Sequence, residues 1–256
     1  MSQGFRIGID VGSTTTKLVA VDERGEIMSW LLEMGQPRVR DQASRMIAAM
    51  RERLGAPGCP VVATGYGRKL VADATKVVTE ISCHARGAYH RTGKPGVLID
   101  VGGQDTKVVR VGPGGEVADF TMNDKCAAGT GRFLEVILPR LGVPWDEVDT
   151  QFQTAPKTVP ISSTCTVFAE SEVISLLANG ESVEGIVKGL HTALADRVAA
   201  LAGRLLAGAP AVFLSGGVAR NPAMVAALSA KLQREVTVVP DPQLVGALGA
   251  ALSLPA

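Results

Sequence analysis

Two aspartate–glycine turns and two cysteines are the groups in this 256-residue chain whose types and spacing could do chemistry. Ile9-Asp10-Val11-Gly12-Ser13-Thr14-Thr15-Thr16-Lys17 returns as Ile99-Asp100-Val101-Gly102-Gly103-Gln104-Asp105-Thr106-Lys107, ninety positions later. Extended to 9–26 against 99–116, ten of eighteen positions are identical, so the likeness takes in strand, turn and returning strand. In each copy an apolar strand ends in an aspartate and turns through glycine and small hydroxyl or amide residues. Gly12 and Gly102 permit close backbone approach, and exposed amides and hydroxyls suit phosphate oxygens. Two facing copies would clamp a polyphosphate. A third glycine turn, Leu214-Ser215-Gly216-Gly217-Val218-Ala219-Arg220-Asn221, leads from a strand into a helix, where a flat or charged ligand can lie against the chain. One such turn alone would be an ordinary tight turn; the repeat with the third turn points to a nucleotide. No P-loop and no GxGxxG after a strand is present, which removes the P-loop NTPase and Rossmann dehydrogenase classes.

Cys126, in Asn123-Asp124-Lys125-Cys126-Ala127-Ala128-Gly129-Thr130-Gly131, and Cys165, in Ser162-Ser163-Thr164-Cys165-Thr166-Val167-Phe168, are each expected just before a helix. Unpaired N–H groups at a helix start stabilise a thiolate and any anionic centre bound to it. From spacing alone the two cysteines are equally well read as small buried hydrophobes. As ligands they are two per chain, whereas Zn²⁺ or a [4Fe–4S] cluster takes four. A two-fold dimer would place four thiolates on its axis. Cys59 and Cys83 lack matching contexts and are expected to be structural, and His84, His90 and His191 are isolated in sequence.

The elements that must position these groups follow from periodicity. Strands are expected at 5–10, 17–21 and 26–32, a helix at 40–53, a strand at 60–64 and a helix at 80–89, with a boundary at 93–96. The second half repeats the plan with strands at 97–101, 107–111 and 116–120, then helices at 131–141, 167–178 and 183–206. A strand at 211–215, a helix at 222–233, a strand at 236–239 and a small-residue helix at 244–252 close the chain. Apolar residues make up 46% and the mean hydropathy is +0.21, enough for packed cores. A formal net charge of +1 gives no reason to expect nucleic acid or an anionic membrane as partner. With no signal-like start and no run of about 18 apolar residues, a cytoplasmic protein is expected.

With the three turns in this order, the chain resembles the acetate and sugar kinase/heat-shock/actin superfamily over essentially its whole length. The resemblance implies an α/β protein of two ribonuclease H-like domains, the actin-like ATPase fold, with ATP in the interdomain cleft. The domains are expected at 1–94 and 95–243, with a C-terminal helix at about 244–256 packing back on the first. By the same likeness Asp10 would act through Mg²⁺ and its waters, and Ser13, Thr14 and Thr15 would hold the β and γ phosphates with Lys17 assisting. Gln104 and Asp105 would lie near the γ-phosphate or attacking water, and Gly216, Gly217 and Asn221 near the adenosine. Gly12, Thr16, Asp100, Gly102, Gly103, Gly129 and Gln243 complete the implied ATP/ADP-binding set.

The segments NDKCAAGTGRFLE (123–135) and STCTVFAESEVISLLANG (163–180) resemble the activator ATPases of 2-hydroxyacyl-CoA dehydratases and the ATPase subunits of benzoyl-CoA reductases. That resemblance implies a homodimer in which Cys126 and Cys165 of both copies hold one [4Fe–4S] cluster. It implies ATP-driven delivery of one electron to an iron–sulfur dehydratase or reductase, with ferredoxin or flavodoxin as donor. Two other classes compete: a small-metabolite kinase of the same superfamily, such as an N-acetylglucosamine kinase, and an ATPase whose dimer holds structural Zn²⁺ through Cys₄.

Overall fold

The computed structural model describes residues 4–163 and 165–255; Thr164 of the second cysteine segment and the chain ends at 1–3 and 256 lie outside the described residues. In chain order the first elements are β1 (Arg6–Val11), β2 (Thr15–Val21), β3 (Ile27–Met34), α1 (Val39–Leu54), β4 (Val61–Thr64), β5 (Lys76–Val77) and α2 (Glu80–Thr92). Then come β6 (Gly96–Val101), β7 (Thr106–Val111), β8 (Val117–Asn123), α3 (Gly131–Ile137), α4 (Val148–Thr154), α5 (Thr166–Ala178) and α6 (Val183–Ala202). The last are β9 (Val212–Ser215), α7 (Pro222–Leu232), β10 (Val236–Val238) and α8 (Val245–Ala251). The chain divides into two compact units. One comprises the residues up to Pro95, Val109–Asp119 and the segment from Val239; the other comprises Gly96–Val108 and Phe120–Val238.

The first sheet has the order β3-β2-β1-β4-β5, with β1 antiparallel to β2 and parallel to β4. Alternation along the strands sends residues to opposite faces. Ile7, Ile9, Leu18 and Ala20 pack with the Ala43, Met46, Ile47 and Met50 stripe of α1. Val19 and Val21 pack on the other face with Ala247, Leu248 and Ala251 of α8. The small residues of α8 are required by the closeness of this packing: a Cβ at Gly249 would overlap the backbone of Cys83 on α2.

The second sheet has the order β10-β9-β6-β7-β8, with β6, β9 and β10 parallel. Its core joins Ile99, Val101 and Leu214 to Phe133, Leu134, Leu190, Leu194 and Met224. No helix among the described residues is long and apolar enough to cross a membrane.

Three expectations from sequence need correction. The helix expected over 131–141 stops as an α-helix at Ile137 and continues as a 3₁₀ turn, Leu138–Leu141, because Pro139 brings no N–H to the ladder. The helix expected over 183–206 likewise ends at Ala202, ahead of Gly203. Cys126 does not precede an α-helix directly: it precedes a one-turn 3₁₀ segment, Ala127–Gly129. Thr130 is the N-cap of α3, its side chain accepting from Arg132 N. The helix-start argument therefore applies to Cys165, the N-cap residue of the 13-residue α5, and not to Cys126.

Candidate functional site: two matched glycine turns and two exposed cysteines

The repeated sequence folds into repeated geometry. Gly12 N donates to Thr15 O at 3.1 Å, and Gly102 N donates to Asp105 O at 2.9 Å, so each turn closes in the same way. Glycine is required at both: a Cβ at Gly12 would lie 2.9 Å from Thr15 O, and one at Gly102 2.5 Å from Asp105 Oδ1. The two aspartates are buried at the strand ends, and each faces the lysine of the returning strand. Lys17 Nζ stands 3.8 Å from Asp10 Oδ2, and Lys107 Nζ stands 3.7 Å from Asp100 Oδ2.

The copies then diverge in charge. Asp105 replaces Thr15 and takes Lys107 into a hydrogen-bonded ion pair at 2.6 Å. Lys17 meets its aspartate only at ion-pair distance, with hydrogen-bonding capacity left for an anion. Ser13 is exposed, Thr16 is buried, and the Thr14 Oγ1 is buried with no hydrogen-bond partner. A buried hydroxyl without a partner is costly unless a ligand supplies one. The first turn is thus equipped for phosphate oxygens. Lys107 escaped the sequence reading although the repeat itself aligns it with Lys17.

Three further residues come up to Asp10 that the sequence did not place there. At Gly246 of α8 a Cβ would lie 2.8 Å from both Asp10 Oδ2 and His84 Nε2, so the bare glycine lets the carboxylate and the imidazole share one space. Gly65, after β4, is as close: its Cβ would come within 2.5 Å of Asp10 Oδ1. His84 is therefore not isolated. The one signal for it was the small-residue run of α8. Gln243 is half-buried just before α8, in the same unit.

In the other unit, β9 runs beside β6 and brings Ser215 opposite Asp100, where its hydroxyl donates to Asp100 Oδ1 at 2.7 Å. Gly216 follows in the left-handed region at φ 87°. Gly131 ties the turns together: its N donates to Gly102 O at 2.8 Å, and its Cβ would lie 2.9 Å from Val218. Gly103, Gly129, Gly217 and Asp105 belong to the same cluster of turns, whereas Gln104 is exposed at the tip. Asn221 is turned inward. It N-caps α7 through Oδ1, accepting from Ala223 N at 3.0 Å, and its Nδ2 lies 2.9 Å from His191 Nε2.

His191 is fully buried, with Nδ1 2.7 Å from Val187 O, so the ring is neutral, donating from Nδ1 and accepting at Nε2 from Asn221. Burial lowers its pKa from 6.5 to about 4, against the opposing effects of Val187 O and Asp149. A histidine with a depressed folded pKa contributes stability above its unfolded pKa that is lost as pH falls through the folded one. The chain should lose on the order of 3 kcal/mol between about pH 6.5 and 4 from this group. His191→Gln keeps a donor and an acceptor but does not titrate. Urea unfolding at pH 7 and 4.5 should show the variant closing the gap on the parent as pH falls; identical pH slopes would count against it.

The four cysteines separate by environment. Cys59 and Cys83 are buried, and desolvation raises both thiols, that of Cys83 to about 11. Cys126 and Cys165 are exposed and not in disulfides. Asn123 brackets Cys126, accepting from its N at 3.0 Å and donating to its O at 2.7 Å. Ahead of Cys165, the Glu172 carboxylate accepts from Ser162 N, Ser162 Oγ and Ser163 N at 2.7–2.8 Å. Burial raises the Glu172 pKa, but these bonds outweigh it and bring the group down to about 2. Among the described residues no set of three or more His, Cys, Asp or Glu side chains converges as a metal site. The donors Cys126 and Cys165 are soft, accessible thiols, chemically suited to an iron–sulfur centre or Zn²⁺.

The model of the BadF/BadG/BcrA/BcrD ATPase family matches residues 7–253. The chain belongs to that family. It is 44% identical to the activator of lactoyl-CoA dehydratase from Anaerotignum propionicum, over 97% of this chain and 96% of that one. Among solved structures it superposes on the Acidaminococcus fermentans (R)-2-hydroxyglutaryl-CoA dehydratase component A with a TM-score of 0.90 and 41% identity, covering 98% of this chain and 97% of that one. The 2-hydroxyisocaproyl-CoA dehydratase activator from Clostridium difficile, solved with bound ADPNP, gives 0.89 and 42%, covering 97% and 93%. The fold is accordingly the α/β, two-domain actin-like ATPase fold that the ordered turns implied.

Proposed function

We propose that this chain is an ATP-driven one-electron activator of an iron–sulfur enzyme, working as a homodimer with one [4Fe–4S] cluster held by Cys126 and Cys165 of both copies. One observation carries the link between nucleotide and cysteines. The segment directly after Cys126 is stitched to the second glycine turn: Gly131 N to Gly102 O, Arg132 N and Thr130 Oγ1 to Gly103 O, and Thr106 Oγ1 to Gly129 O, all within 2.6–3.0 Å. A nucleotide phosphate that shifts this turn shifts the Cys126 loop with it.

At the nucleotide, Asp10 is the residue for Mg²⁺ and its waters. Ser13, Thr14 and Thr15 receive the β and γ phosphates, and Lys17 neutralises developing charge. Gln104 and Asp105 would be the residues for the γ-phosphate or the attacking water, and Asp105 is held by Lys107. Gly216, Gly217 and Asn221 shape the adenosine end. Cys126 and Cys165 of both copies would hold the cluster, which would supply one-electron chemistry, with a ferredoxin or flavodoxin as the donor class and an iron–sulfur enzyme as the accepting partner. The named activities of the relatives support a 2-hydroxyacyl-CoA dehydratase as that partner.

Protein purified without oxygen should be brown, with about four iron and four sulfide per two chains. An iron chelator should strip it faster in Mg-ATP than in Mg-ADP. Colourless protein carrying Zn²⁺ would establish the structural-zinc alternative. Phosphate transfer to a sugar, with chelation indifferent to nucleotide, would establish the kinase.

A further inference from the structure

A single side chain spans the two cysteine loops. Arg197 of α6 donates from Nη1 to Ala128 O at 3.1 Å and from Nη2 to Ser163 O at 2.8 Å. Ala128 lies two residues after Cys126, and Ser163 two residues before Cys165. The guanidinium is itself fixed, stacked over the Phe133 ring at 4.5 Å to the centroid. Its planar fork can hold two carbonyls at one separation, which a lysine ammonium on a flexible stem does not do.

Both ends of the fork are anchored. Ser163 N donates to Glu172 while Ser163 O accepts from Arg197, so this residue is gripped at both its amide and its carbonyl. Ala128 sits inside the segment that Thr130, Gly131 and Arg132 bind to Gly102 and Gly103. A path therefore leads from the second glycine turn by hydrogen bonds to Gly129–Arg132, along the backbone to Ala128, and by the two hydrogen bonds of Arg197 to the loop of the second cysteine. Without Arg197 only the first loop is tied to that turn by these bonds. Its neighbourhood carries little sign of this role: Arg197 and Asp196 are the two charged residues of the Ala-rich run Ala193-Leu194-Ala195-Asp196-Arg197-Val198-Ala199-Ala200.

We propose that Arg197 is a positioning residue that fixes the spacing of Cys126 and Cys165 and joins the second cysteine loop to the nucleotide turn. The spacing is a property of the chain itself; its purpose, seating a cluster, rests on the electron-transfer function above.

The test separates the two. In the full-length, iron-free chain, thiol-reactive spin labels will modify exposed Cys126 and Cys165 and spare buried Cys59 and Cys83. Dilution with an excess of Cys126→Ser/Cys165→Ser chain leaves only the distance within one copy. The parent should give one narrow distance distribution. Arg197→Met keeps the packing on Phe133 but has no donors, and its distribution should be at least about twofold broader. Arg197→Lys should restore the melting temperature without restoring the narrow distance, which a merely structural role would not produce. In cluster-loaded protein, Arg197→Lys should also bring the ratio of chelation rates in Mg-ATP and Mg-ADP toward one. Equal distance distributions in all three chains would overturn the proposal, whatever the iron content. Iron-free parent protein with the broadening intact would instead remove the cluster assignment and leave the positioning role standing.

Discussion

Cys126→Ser and Cys165→Ser should each reduce the iron of anaerobically purified protein to below about a tenth of the parent's, while Cys59→Ser and Cys83→Ser leave it unchanged. The expected contrast follows from ligand arithmetic and environment together. A [4Fe–4S] cluster shared by two copies draws two thiolates from each, so one substitution removes two of four ligands at once. Serine at the buried positions changes only packing and a weak hydrogen bond, as at Cys59, whose Sγ lies 2.9 Å from Phe5 O. Dimerisation should fall with the iron, because the shared centre is itself a cross-link. Iron and sulfide analysis with size-exclusion chromatography under argon reads both effects. Full iron in either of the first two variants would sink the ligand assignment, and iron lost equally from all four would point to general damage.

The features most legible in the sequence were those where the backbone itself demands a residue type. Gly12 and Gly102 stand where a side chain would strike the closing turn, and Asp10 and Asp100 stand opposite a lysine across the strand pair. Such positions leave identities that recur at a fixed spacing, so the duplicated turns could be read directly. What could not be read depends on contacts distant in sequence. Arg197 reaches Ala128 and Ser163, 69 and 34 positions away, and nothing in its own neighbourhood signals that. His84 meets Asp10 only because Gly246, from the far end of the chain, leaves room. Among the elements, α4 was missed because its seven residues, Val148–Thr154, carry two buried apolar side chains in a polar run, too few for a helical period to emerge. The start of α3 at Gly131 was legible, but Cys126 was set directly before the helix because nothing in the sequence announced the 3₁₀ turn Ala127–Gly129, after which the side chain of Thr130 caps α3.

Asp10→Ala should lower Mg-dependent ATP hydrolysis at least about a hundredfold while leaving iron content and dimerisation as in the parent. The size of the loss is that of removing one preorganised electrostatic group from a phosphoryl-transfer site. Asp10 is nearly closed off from solvent at the end of β1, with Lys17 at 3.8 Å. Its independence from the cluster follows from the chain's own organisation. Asp10 belongs to the unit built on β1, whereas Cys126, Cys165, Arg197 and the second glycine turn all belong to the other. Asp10→Asn tests the charge itself: it nearly preserves the shape beside Gly65 and Gly246 but removes the negative charge, so it should lose hydrolysis to a similar extent with little change in melting temperature. Phosphate release at saturating Mg²⁺, measured beside iron content in the same preparations, decides the matter. Normal turnover in either variant would remove Asp10 from the hydrolytic machinery. Loss of iron together with hydrolysis would mean that the first turn supports the cluster unit directly, and the two constellations would no longer be separable.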